Sequence, residues 1–167
     1  VAEEIKSRDG EADILFIGTT HGIEARVVPG AGYRIKFVKA EGFAGKSLLK
    51  KIKALFLFIM SVSAASRILR VVKPNVVIGV GGYASAGTVI AAFMRGIPAV
   101  ILEQNSVPGS ANRFLSYFAK AIAVTYQESL SYFPKGKTYL TGNPIRKEII
   151  KRDEDKAYGC FSLTVIN

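Results

Sequence analysis

The chain has 167 residues, and 23 Lys+Arg against 13 Asp+Glu give a formal charge of +10. Hydrophobic residues make up 49% and charged residues 22%, which excludes intrinsic disorder and supplies a core for one domain of ordinary size. One Cys (Cys160) and one His (His21) exclude a disulfide framework, a Cys-based zinc site and a multi-histidine centre, and they fit a reducing compartment.

Val1 to Arg8 reads as the tail of a helix, with Val1 and Ile5 on one face and charges on the other. A helix with no strand before it is an unusual opening, and Ser162 to Asn167 begins a strand-like run that stops. Both ends are therefore expected to be cut from a longer unit, the alternative being a small domain with frayed ends. Strand-like runs follow at Ile14–Ile17 (ending at Gly18), Tyr33–Val38, Val76–Val80, Ala99–Leu102, Ala121–Val124 and Thr138–Leu140. Helical patterns fall near residues 22–28, 47–72, 85–95, 109–118 and 145–151. This alternation predicts an α/β fold, a doubly wound parallel sheet of Rossmann-like type, whose ligands sit outside the carboxyl ends of the strands. His21 reads as a turn residue at a helix start.

Residues 42–102 carry eight Lys/Arg and no acid, and Ala54 to Ser66 is uncharged. Thirteen such residues are too few to span a bilayer, which takes about 20. Projection at 100° per residue groups Leu48, Ile52, Leu55, Phe56, Ile59 and Val62 on one arc, expected to face the core. Leu57 and Phe58 fall outside it, on the side of Lys50, Lys51 and Lys53. Apolar residues among lysines are the pattern of a helix resting on an anionic membrane surface; a helix buried nearly all round is the alternative. Nucleic acid is not an expected partner, because no RNA- or DNA-binding motif is visible and the basic run lacks interleaved exposed aromatics for stacking.

Three strand ends carry candidate chemistry. Gly79-Val80-Gly81-Gly82-Tyr83 turns into a helix whose free N–H groups suit a phosphate or carboxylate, or else serves tight strand–helix packing. It is neither a dinucleotide fingerprint nor a Walker loop. Glu103-Gln104-Asn105 places a possible base and two amides suited to polyol recognition after a buried strand, or else Asn105 or Ser106 caps the next helix. Thr141-Gly142-Asn143-Pro144-Ile145-Arg146 places Arg146 in the first turn of a helix, where pairing with an anion explains the charge; a solvated Arg is the alternative.

Taken together, Leu15–Thr19, Gly22–Pro29, Gly42–Lys46, Lys73–Tyr83, Glu103–Asn105 and Tyr132–Pro134 through Gly142–Arg146 resemble, in order and spacing, the amino-terminal domain of the MurG family. These are peripheral membrane glycosyltransferases that complete the lipid-linked peptidoglycan precursor. The resemblance covers residues 1–150, expected to be the acceptor- and membrane-binding domain; residues 151–167 would begin the connection to a carboxy-terminal nucleotide-sugar domain. It implies the amino-terminal half of a GT-B enzyme that moves N-acetylglucosamine from UDP-N-acetylglucosamine to undecaprenyl-pyrophosphoryl-muramoyl-pentapeptide, with inversion, at the cytoplasmic face of a bacterial membrane. No cofactor and no metal is implied. Glu103 is the expected catalytic residue, Asn105 and Arg146 the donor contacts, and Gly81, Gly82, Tyr83 and Gln104 the acceptor contacts. Lys50, Lys51, Lys53, Leu57 and Phe58 would form the docking patch. The family's opening strand with its Gly-Gly-Thr-Gly-Gly-His loop has no counterpart here, and Leu102 stands where the family usually has His. Isolated, the chain is expected not to turn over. Two other functions stay open: a GT-B enzyme acting on another membrane lipid, and a non-catalytic membrane-anchoring module.

Overall fold

The computed structural model describes residues 1–40 and 48–144, with only the backbone for residues 48–53 and Tyr83. Among the described residues six strands form close to the expected positions: β1 (Leu15–Gly18), β2 (Arg34–Phe37), β3 (Val77–Gly79), β4 (Ala99–Glu103), β5 (Ala121–Val124) and β6 (Thr138–Leu140). Five helices accompany them: α1 (Ala2–Arg8), α2 (Glu24–Gly30), α3 (Leu48–Val72), α4 (Gly82–Met94) and α5 (Ser110–Leu115). A 3-10 turn over Gln127–Tyr132, not expected from the sequence, follows β5. The helix expected near 145–151 and the domain boundary at 150 lie outside the described residues.

Every pairing is parallel, as continuous Val/Ile runs require. The single sheet divides, however, into a β1-β2 pair and a β3-β4-β5-β6 sheet. The chain leaves β2 through α3 and enters β3, which ladders with β4 and not with β1. Helix α4 packs on both β1 and β3, so the two sheets share one layer of helix. Ile17 of β1 packs against the main core, which is built on Val89, Ile101, Leu115, Ile122 and Val124.

The α3–α4 seam turns Leu55, Phe56 and Ile59 away from the core they were expected to face, while Val62 packs on it as expected and the side chains of Leu48 and Ile52 lie outside the description. Ala54, Ser61, Ala65 and Leu69 are the buried residues, whereas Leu55 (53% exposed), Phe56 (62%), Ile59 (58%) and Met60 (42%) face outward. Leu57 and Phe58 are half-buried, and Phe58 packs against the core with Val62. The cause is close backbone approach. A Cβ at Gly87 of α4 would stand 2.5 Å from Ser61 Oγ, so only small residues fit the seam and the large ones turn away from it. Size-weighted projection took bulk as the mark of the core, and here small side chains mark it.

The outward arc spans roughly 140° at 3.6 residues per turn and also carries Arg67 and Arg70, both exposed. Ala54–Val72 is 19 residues, long and apolar enough by length and composition to cross a membrane. The sequence count of thirteen uncharged residues stopped short of this because it ended at Arg67. The residues seated against α4 and the arginines opposite them suit a helix that lies on its own domain.

Candidate functional site

Because β3 to β6 run parallel in spatial order, the turns after them line one edge of the sheet. The turn after β3 has Gly81 at φ 97° and Gly82 at φ 80°, conformations that L side chains rarely adopt. Gly81 is the N-cap of α4 and has no side chain to cap with, so the first-turn N–H groups stay available to an outside acceptor. Gly79 serves packing: a Cβ there would meet Ser85 Oγ at 2.8 Å and Val89 Cγ2 at 2.9 Å. The packing reading of the glycine loop is thus met at Gly79, while Gly81 and Gly82 supply the turn into α4. Tyr83 lies in the first turn of α4.

The turn after β4 is built around Glu103, which is 2% exposed. Its Oε1 accepts from the Asn105 main-chain N–H (2.9 Å) and from Asn105 Nδ2 (2.8 Å). Its Oε2 accepts from Asn112 Nδ2 (3.0 Å), reaching back from α5. Asn112 Nδ2 also lies 3.3 Å from the Leu102 carbonyl. The sequence offers Glu103 as a possible base or a hold on a sugar hydroxyl; the structure encloses its carboxylate within these hydrogen bonds. The reason is register: Ala99, Ile101 and Glu103 share the buried face of β4. Asn105 is exposed, and Gln104 is half-buried. Neither Asn105 nor Ser106 caps α5, whose N-cap is Gly109.

The β5 turn supports the β4 turn. Thr125 N–H donates to the Glu103 carbonyl (3.0 Å), and the fully buried Ser129 donates through Oγ to the Asn105 carbonyl (2.8 Å). Arg113 of α5 stacks over Tyr132, 5.5 Å from its ring centroid. Nothing in the residue pattern singled out Ser129 or Asn112. After β6, Thr141 N–H donates to the Val124 carbonyl (2.9 Å), and Gly142 has φ 75°. Arg146 lies outside the described residues. The β3 and β4 turns are thus neighbours, and Thr141–Pro144 stands two strands beyond β4 on the same edge.

Beyond β1, Glu24 folds back over Gly18. Its Oε1 accepts from Thr19 N–H (2.9 Å) and Thr19 Oγ1 (3.0 Å). The Thr19 main-chain bond, then the residue's own N–H and the Thr19 hydroxyl, hold its carboxyl below the usual range against the opposing effect of burial. Lys50, Lys51 and Lys53 belong to the first turns of α3; their side chains are outside the description.

The family model for the glycosyltransferase family 28 N-terminal domain matches residues 1–124. The chain belongs to this family. It is 45% identical over 163 residues to a Thermodesulfovibrio yellowstonii protein, covering 98% of this chain and 44% of that protein. It is 46% identical over 152 residues to one from Geobacter sulfurreducens, covering 91% and 42%. Both relatives are named UDP-N-acetylglucosamine--N-acetylmuramyl-(pentapeptide) pyrophosphoryl-undecaprenol N-acetylglucosamine transferase. Among solved structures, Acinetobacter baumannii MurG matches with a TM-score of 0.69 at 26% identity, over 87% of this chain and 40% of that one. A Neisseria meningitidis UDP-GlcNAc 2-epimerase shares the fold, with a TM-score of 0.56 at 18% identity over 88% of this chain and 46% of its own. The chain therefore spans less than half the length of the relatives it matches. The resemblance to MurG and the Rossmann-like, amino-terminal GT-B fold are both borne out.

Proposed function

We propose that this family 28 chain is the acceptor- and membrane-facing half of an inverting glycosyltransferase. The full-length enzyme moves N-acetylglucosamine from UDP-N-acetylglucosamine to undecaprenyl-pyrophosphoryl-muramoyl-pentapeptide. One observation carries the reading: the Gly81-Gly82 helix entry and the Glu103-Asn105 turn stand on adjacent strand ends, in a chain 45% identical to a transferase of that name.

In this reading, the N–H groups opening α4 meet the acceptor pyrophosphate, where the helix dipole favours negative charge. Gly81 and Gly82 let the backbone approach, and Tyr83 and Gln104 contact the acceptor. Asn105 and Arg146 contact the donor sugar nucleotide. Glu103 works through Asn105 and Asn112 rather than on the substrate. The outward arc of α3 (Leu55, Phe56, Ile59 and Met60), with Lys50, Lys51, Lys53, Arg67 and Arg70, rests on the anionic cytoplasmic membrane surface, and replaces Leu57 and Phe58 as the apolar contact.

The experiment is transfer of labelled N-acetylglucosamine by the full-length enzyme to the lipid-linked muramoyl-pentapeptide and, separately, to diacylglycerol. Transfer to the first alone is expected. Transfer to diacylglycerol alone assigns the enzyme to another membrane lipid, and no transfer to either favours an anchoring module.

A further inference from the structure

The Asn105 turn is pinned from both sides of the peptide chain. Its N–H and side-chain Nδ2 go to Glu103 Oε1 at 2.9 and 2.8 Å. Its carbonyl accepts from Ser129 Oγ at 2.8 Å, and the next carbonyl, of Ser106, lies 3.1 Å from the same hydroxyl. A serine hydroxyl has one hydrogen, so two successive carbonyls curl around a single donor. Ser129 is fully buried and belongs to the 3-10 turn that follows the neighbouring strand β5. Asn105 Nδ2 donates to Glu103 Oε1, so the nitrogen end of the Asn105 amide points inward. Nδ2 faces Glu103, and Oδ1, which makes no hydrogen bond among the described residues, is left for a ligand.

We propose that Ser129 is a positioning residue: with Glu103 it holds Asn105 so that Oδ1 is presented as an acceptor for a hydroxyl or N–H of the sugar nucleotide. This rests on the reading of Asn105 as a donor contact. Replacing the hydroxyl leaves the 105 and 106 carbonyls without their donor, and the turn relaxes while Glu103 stays in place. The loss of one neutral hydrogen bond sets the scale, about a three- to tenfold effect.

The test is made on the full-length enzyme with Ser129→Ala, and with Ser129→Cys, which replaces the hydroxyl by a weaker S–H donor, should alanine impair folding. Hydrogen exchange of the 104–107 segment is expected to speed up by about three- to tenfold, with exchange in α4 unchanged. The KM for UDP-N-acetylglucosamine is expected to rise by about the same factor, with the acceptor KM unchanged. Unchanged exchange in the segment overturns the proposal. So does faster exchange with an unchanged donor KM, when Asn105→Ala raises that KM. If Asn105→Ala itself leaves the donor KM as it was, the donor-contact reading fails, and the pinning of the turn is still decided by exchange.

Discussion

Replacing Phe56 and Ile59 together by serine should detach the chain from anionic membranes without unfolding it. Phe56 is 62% and Ile59 58% exposed, so rather more than half of each side chain has no cover. Burying a whole side chain of this kind stabilises by about 1.5–3 kcal/mol, so the uncovered part of each contributes about 1–2 kcal/mol on entering the interface. Losing both lowers the vesicle partition coefficient roughly fiftyfold. The assay is sedimentation with phosphatidylglycerol-containing vesicles, paired with urea unfolding. The paired control is Phe58→Ala. Phe58 packs against the core, so that change should cost about 2–3 kcal/mol of stability and leave binding of the folded protein alone. Raised salt should weaken binding in every case, because Arg67 and Arg70 are exposed. If Phe56→Ser with Ile59→Ser sediments like the parent, or if Phe58→Ala loses binding at full stability, the orientation argued for α3 is wrong.

Two more predictions concern the scaffold. Ser61 Oγ is buried without a hydrogen-bond partner among the described residues, so Ser61→Ala should stabilise by about 1 kcal/mol in urea unfolding. Gly87→Ala should destabilise by about 1–2 kcal/mol through the contact with Ser61, and by less in the Ser61→Ala background; strict additivity would show that the seam is looser than described. Glu24 has a lowered folded pKa, so its contribution is present above the ordinary carboxylate value of 4.5 and is lost as pH falls through the folded value. Wild type should therefore lose more stability than Glu24→Gln between about pH 6 and about pH 3, and parallel pH profiles would remove Glu24 as the cause.

The strands were legible because apolar runs such as Val76–Val80 and Ala99–Leu102 have few other ways to be buried. The division of the sheet was not, since nothing in a strand's own residues names its neighbour. On α3 the periodicity was visible and its direction was misread: Ala54, Ser61 and Ala65 carry little apolar weight, yet they mark the side on which backbones meet. Glu103 was picked out for its position after a strand, while its burial was written in the alternation with Ala99 and Ile101. Ser129 left no trace, because a hydroxyl that ties two distant turns has no local pattern.

Initial-rate kinetics of the full-length enzyme, with Asn105→Ala and Arg146→Ala beside wild type and the acceptor held in anionic vesicles, tests the central claim most directly. The account predicts a donor KM raised about tenfold or more in each variant, with the acceptor KM unchanged. A donor KM equal to wild type in both variants would contradict the claim that these strand ends grip the sugar nucleotide.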